Sequence, residues 1–206
     1  LGCTIIEHDG RPFEPLKSYT MPIGAYSEIS PIVKQFIKKR PRPAVVLDLG
    51  CGMGLYGALV RQYIDMGVQP FKTKLHGVEG FEKYRNPTWS LYDEVFVGDI
   101  VEFRNSTKYD LVFLNDVLEH LPKADGLAVI TRVQSWLNEG GIFIISTPAI
   151  HQEQGVAHGN EFEIHRCVWS AKELEQLGFE IIKDGVEPDE YGNLMLTAKY
   201  LNSSTG

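Results

Sequence analysis

Short apolar runs punctuate the chain at a steady rhythm, and between them apolar residues recur at helical spacing. Compact runs of this kind read as strands buried on both faces, since a half-exposed strand would alternate apolar and polar positions. Val45–Leu49, Leu75–Val78, Val95–Val97, Tyr109–Asn115 and Ile142–Ser146 form the series. The spacing predicts a helix over Leu55–Met66, with Leu59, Val60, Tyr63 and Ile64 on its inner face and Gly67 as its stop. A second is predicted over Asp125–Leu137, halted at "NEGG". Ser170 with Glu173 makes a capping box that opens a third, ending at Gly178. Ahead of the series, Ser30-Pro31 predicts the start of an amphipathic helix reaching Arg40.

Strands alternating with helices imply an α/β fold: a mainly parallel sheet covered on both faces. Phe179–Lys183 and Leu194–Tyr200 have no helix between them, so they are expected as an antiparallel pair at one edge. The chain carries no internal repeat or second-domain linker and reads as one domain over residues 1–206. Residues 1–29 form an amino-terminal lid or extension in this reading, and residues 30–200 form the core.

Composition narrows the setting. Hydrophobic content of 43%, charged content of 23% and a net charge of −7 suit a soluble globular chain and do not advertise a nucleic-acid binder. No apolar run approaches the roughly 20 residues of a membrane helix, and no leader pattern precedes the core. The basic cluster "KKRPRP" at Lys38 to Pro43 reads as a solvated helix end. Cys3, Cys51 and Cys167 lack metal-finger spacing and point to a reducing, cytoplasmic setting.

The candidate chemistry begins at "VVLDLGCGMGLYG", a strand, a glycine turn and a helix start. In an open α/β sheet this is where ligands bind, beyond the carboxyl ends of the strands. Gly50, Gly52 and Gly54 allow close approach to the backbone. Two ligands compete for the loop. Gly52-x-Gly54-x-x-Gly57 fits a nicotinamide dinucleotide, with Glu79 near the distance expected for a ribose carboxylate. Asp48 with Gly50, Gly52 and Gly54 instead suits a ligand carrying an ammonium and a sulfonium charge, or Asp48 only positions the loop through hydrogen bonds.

The loop resembles the first motif of class I S-adenosylmethionine-dependent methyltransferases. "HGVEGFEKY", "VFVGDI", "YDLVFLNDVLEHL" and "LNEGGIFIISTP" follow as the second to fifth motifs, in order. The resemblance covers roughly Ser30 to Tyr200 and implies a Rossmann-like sheet of seven strands with a reversed last hairpin. It places S-adenosyl-L-methionine against Asp48, Gly50, Cys51, Gly52 and Gly54. Glu79 would hold the ribose hydroxyls with Gly80 beside it. Asp99 would accept from the adenine amino group with Ile100 along the ring, and Asn115 would complete the site. Phe81 packs on the adenine or belongs to the core.

Methyl transfer needs orientation, a dry site and, for a hydroxyl acceptor, a base. Candidates cluster in "NDVLEHLPKADG". Asp116 and Glu119 have the spacing of a capping box, in which both side chains would satisfy backbone amides. They also resemble, together with His120, His165 and Trp169, a divalent metal site of small-RNA 3′-terminal ribose methyltransferases and ubiquinone-pathway O-methyltransferases. There the ligands would be Asp116, Glu119, His120 and His165, with Asp116 one methylene shorter than the glutamate of those families. Without metal, His120 or His165 is the expected base.

His151 and His158 lie in a polar loop expected to cover the acceptor, and Ser18–Ser30, with Tyr19 and Tyr26, is expected to form a lid. The function expected is methylation of a small molecule at oxygen, on a saccharide or a cofactor precursor. The alternatives are RNA-end methylation and a non-catalytic cofactor-binding partner subunit.

Overall fold

The computed structural model describes residues 25–38, 43–188 and 193–203. Its sheet has seven strands: β1 (Val45–Leu49), β2 (Lys74–Glu79), β3 (Glu94–Val97), β4 (Tyr109–Asn115), β5 (Leu137–Pro148), β6 (Glu180–Asp184) and β7 (Met195–Leu201). Their order is β3-β2-β1-β4-β5-β7-β6. Strands β1 to β5 pair in parallel, and β7 runs antiparallel between β5 and β6. The strand order reverses between β1 and β4, from β1-β2-β3 on one side to β4-β5 on the other, and the crevice at that switch point is where a ligand site is expected.

Each central strand sends alternate residues to opposite faces, which gives two cores. Val46, Leu111, Phe113 and Ile144 pack with α1 (Tyr26–Lys38) and α2 (Leu55–Tyr63). Leu47, Val112, Leu114 and Ile145 pack with α3 (Lys123–Trp136) and α4 (Ala171–Gln176). Both faces are thereby covered, as the unbroken apolar runs require.

Element boundaries depart from the sequence expectation where tertiary contacts overrule local signals. Helix α1 begins before Ser30-Pro31 and carries Pro31 inside it. Ala25, Ile29, Val33 and Phe36 continue one buried stripe through the proline. Burying that face at about 25 cal/mol per Å² outweighs one absent helix hydrogen bond. Helix α2 stops at Tyr63 because Asp65 turns inward, where Arg61 donates to it at 2.7 Å and Thr73 donates from N and Oγ1. The segment "NEGG" is part of β5: Gly140 and Gly141 exchange backbone bonds with Asn202. Ser170 and Glu173 do form the reciprocal capping box at α4.

Tyr26 lies in α1, half-buried against the core on that face of the sheet, and residues 18–24 of the expected lid lie outside the described residues. Tyr19, Cys3 and most of the Lys38–Pro43 cluster lie outside the described residues. Among the described residues, no helix is long and apolar enough to cross a membrane.

Candidate active site

A cleft of about 730 Å³ opens beyond the tips of β1, β2, β4 and β5. Of the residues the sequence nominated for the cofactor, Gly50, Cys51, Gly52, Gly54, Glu79, Gly80, Ile100 and Asn115 line it. Asp48, Phe81 and Asp99 do not.

The glycines of the loop answer to different neighbours. A Cβ on Gly50 would meet Val117 at 2.4 Å, and one on Gly57 would meet the Tyr92 ring at 2.3 Å. At Gly54 the obstacle is Thr88, at 2.5 Å. Gly52, with φ +49°, has nothing within 4 Å. Three of these positions are therefore bare so that the protein can pack on itself. At Gly52 alone among them the open space belongs to the cleft. Gly57, which completed the dinucleotide pattern, is explained by Tyr92.

Glu79 holds the loop in place. Its Oε2 accepts from Gly52 N at 2.8 Å and its Oε1 from Phe81 N at 2.8 Å. Gly50 N and Cys51 N donate to Val78 O at 2.8 and 3.0 Å. Burial raises the Glu79 carboxyl, and the backbone amides of Phe81 and Gly52 oppose that rise. Burial also pushes up the Cys51 thiol, so it stays protonated and apolar in character.

Asp48 corrects the expectation of an acid facing the ligand. It is 1% exposed, and its Oδ2 accepts from Tyr92 Oη at 2.6 Å, while Tyr92 Oη accepts from Gly57 N at 3.1 Å. Burial pushes its carboxyl up to about 7. Asp48 thus ties the loop to the segment before β3 from below, the positioning role left open above. Trp89 assists by donating Nε1–H to Gly52 O at 2.8 Å. Asp99 borders a separate groove along the β3 edge, and its Oδ1 accepts from Val101 N at 2.8 Å. Phe81 stacks edge-on with Tyr84, at 5.1 Å between centroids.

The other half of the cleft is built from the tips of β4 and β5. Asn115 is 5% exposed, yet neither amide atom has a partner. Asp116 has φ 53°, unusual for a residue bearing a Cβ. Its N–H donates to Ser146 O at 2.9 Å and its Oδ1 accepts from Ser146 Oγ at 3.1 Å, whereas Oδ2 is buried without a partner. Burial pushes this carboxyl up to about 6. The capping-box reading of Asp116 and Glu119 does not hold. Pro122 precedes α3, and Glu119 Oε2 instead accepts from Thr147 Oγ1 at 3.0 Å in a fully buried position.

Glu119, His120 and His165 converge, with one ligand atom from each lying within 4.8 Å of the others. Asp116 is absent from that group. The two imidazoles stand 4.9 Å apart, ring centre to ring centre. His165 Nδ1 donates to Gln152 O at 2.7 Å, which leaves Nε2 with a free lone pair. Burial lowers the pKa of His120, keeping it neutral, and its Nδ1 lacks a partner. Trp169 is fully buried beneath α3, packed against Gly126 and the Lys123 ammonium.

The segment from Ala149 to Ser170 folds across the cleft as expected of a covering loop. Glu163 Oε1 accepts from Tyr84 Oη at 2.7 Å and from Asn160 Nδ2 at 3.2 Å, while Gln154 Nε2 donates to Glu163 O at 2.8 Å. Phe162 lies over Gly80, where a Cβ would approach its ring at 2.9 Å. His158 lines the cleft and His151 is exposed outside it. Tyr84, Tyr92, Thr147 and Glu163 were not legible as site residues, because nothing in their local sequence marks them. One feature of the lining is chemical: Glu79, Asp116, Glu119 and Glu163 are present, and among the described residues no lysine or arginine is.

A family model described as "Methyltransferase domain" matches residues 23–183. The chain is 30% identical over 162 residues to a protein named carboxy-S-adenosyl-L-methionine synthase from Actinobacillus pleuropneumoniae serotype 5b, covering 74% of this chain and 62% of that protein. A namesake from Aliivibrio salmonicida is 25% identical over 173 residues, covering 80% of this chain and 69% of that one. The chain thus spans about two thirds or less of the length of these relatives. Among solved structures, the N-methyltransferase NodS of Bradyrhizobium japonicum WM9 superposes with a TM-score of 0.56 at 13% identity, over 87% of this chain and 97% of NodS. Magnesium protoporphyrin IX methyltransferase of Synechocystis PCC 6803, solved with bound SAM, gives 0.55 at 19% identity, over 88% and 81%. Those two likenesses speak for the fold. With the family match across most of the chain, the strand order and the glycine loop at the switch point, the chain belongs to the class I S-adenosylmethionine-dependent methyltransferase family.

Proposed function

We propose that this domain transfers the methyl group of S-adenosylmethionine to an oxygen of a small-molecule acceptor, with the His120–His165 pair supplying the base. The observation that carries the reading is the His165 ring. Its Nδ1 is committed to Gln152 O, so the lone pair on Nε2 is available in the acceptor half of the cleft. A proton acceptor held by a second hydrogen bond is the usual arrangement for general-base work. The nucleoside end of the cofactor would lie along the Gly52 opening and Glu79. Among the described residues the lining has no lysine or arginine, which speaks against an RNA end, whose phosphates would call for cations. It also speaks against a function like that of the curated relatives, since the carboxylate of carboxy-S-adenosylmethionine would find no lysine or arginine among the described residues of the lining.

The test is incubation with labelled S-adenosylmethionine and fractionated metabolites, reading products that gain one methyl group. His165→Ala is expected to lower transfer by roughly 10²–10⁴-fold while cofactor affinity stays near the parent value. Undiminished transfer by both His165→Ala and His120→Ala would remove the base assignment.

A second reading is favoured by the convergence of Glu119, His120 and His165. Two imidazoles and a carboxylate suit a divalent first-row metal ion. These residues would hold it, and it would supply Lewis acidity toward an acceptor hydroxyl. Titration with Mn²⁺ and with Zn²⁺, followed by melting in a chelator, decides between the readings. A melting temperature indifferent to both metal and chelator returns the histidines to base duty alone.

A further inference from the structure

We infer that Asp116 selects the charge of the methyl donor, so that this site takes the sulfonium cofactor and rejects its carboxylated analogue. The inference rests on the cofactor reading of the same cleft and adds the group that sets its specificity.

Three observations carry it. Asp116 is held at the β4 tip by two hydrogen bonds to Ser146, one fixing its backbone N–H and one its Oδ1, and the buried Oδ2 is left without a donor. An acceptor atom buried in this way is costly unless a ligand meets it. Asn115, beside it, is almost wholly buried and lacks partners for both its oxygen and its nitrogen, an independent sign that a ligand completes this corner. The left-handed backbone at Asp116 is a conformation that side chains adopt when the surroundings over-determine it, as at ligand clamps.

The surrounding charge gives the sign. The lining carries the acids Glu79, Asp116, Glu119 and Glu163 and, among the described residues, no lysine or arginine. A sulfonium brings the missing positive charge to Oδ2. Carboxy-S-adenosylmethionine keeps the sulfonium but bears a carboxylate on its transferable carbon, which would set a second negative charge close to Oδ2 and offset the attraction. The curated relatives are named for making that compound; this lining is of the opposite character.

The measurement is calorimetric binding of S-adenosylmethionine, S-adenosylhomocysteine and carboxy-S-adenosylmethionine to the parent chain and to Asp116→Asn. A chelator is kept in the buffer so that no metal at the histidines can pair with the carboxylate. Asparagine tolerates the left-handed conformation, and melting curves verify that the variant folds. The parent is expected to bind S-adenosylmethionine at least tenfold more tightly than the carboxylated compound, and Asp116→Asn is expected to shrink that ratio to below about threefold. Equal or tighter binding of the carboxylated compound by the parent overturns the inference, a result that needs no variant. So does a ratio unchanged in folded Asp116→Asn. Failure of all three compounds to bind sinks the cofactor reading beneath it, and is told apart because S-adenosylhomocysteine carries neither charge at sulfur.

Discussion

The two halves of the cleft are built on the same principle of strand tips and short turns, yet they finish their hydrogen bonding differently. At the β1–β2 tips the polar groups are satisfied internally: Glu79 accepts two backbone amides, and Asp48 accepts from Tyr92. At the β4–β5 tips Asn115, Asp116 and His120 each leave a buried polar atom unmatched. A buried unmatched group costs about 1–3 kcal/mol, so a fold retains several together only where something else offsets the cost. The first half is a cradle preformed by the chain, and the second is a set of contacts left for ligands. On the function proposed above, the contrast lets one domain hold a fixed cofactor shape while leaving the acceptor side open to chemistry.

The most severe way to break the cradle is Gly52→Val. Its side chain would fill the opening from a backbone with φ +49°, so cofactor affinity should drop at least about 100-fold by calorimetry, from steric exclusion and strain together. Retained far-ultraviolet dichroism would show that the sheet survives.

Glu79→Ala acts on the same half with a smaller effect. It removes the acceptor for Gly52 N and Phe81 N as well as the candidate ribose contact. The expected loss is about 1–3 kcal/mol of cofactor binding. Affinity equal to the parent would displace the pocket from this loop.

Asp48→Asn sharpens the comparison through pH. The carboxyl has its usual value of 3.8 when unfolded and is pushed up to about 7 when folded. Between those values the native state keeps a proton that the unfolded chain has released. Stability from this group therefore falls as pH rises from about 4 to about 7. The parent should lose melting temperature across that window more steeply than Asp48→Asn, in which Tyr92 still has an acceptor. Parallel curves would mean that Asp48 titrates as an ordinary carboxyl.

Asn115→Ala probes the unsatisfied half and should change stability least, within about 1 kcal/mol of the parent, because the amide forfeits no hydrogen bond. Ligand affinity should nevertheless weaken. A large fall in melting temperature with unaltered binding would make Asn115 a structural residue.

How far the sequence could be read follows the range of the interactions involved. The apolar runs gave strand positions close to those observed, because burial of a strand on both faces is written locally in its residues. Boundaries went astray at α1, α2 and "NEGG", where a distant partner decides: the shared buried stripe through Pro31, the Arg61–Asp65–Thr73 contacts, and Asn202 across from Gly140 and Gly141. The same holds for the site. Glu79 was legible as the acid ending a strand beside a glycine loop. For Asp48 the sequence left a ligand contact and a loop-positioning role both open, because spacing cannot show that Tyr92, 44 residues onward, occupies its carboxylate.

By itself the sequence determined the alternation of elements, the crevice at the first strand's tip and the presence of histidines and acids after the fourth. Those depend on hydrophobic period and on residue type, which are local properties of the chain. Only the tertiary structure decided which glycines make room for the protein and which for a ligand. It also decided which carboxylates are silenced by hydrogen bonds, and that Glu119, His120 and His165 meet while Asp116 stands apart. Each of those outcomes is a question of who touches whom across the fold, and side chains far apart in the chain answer it.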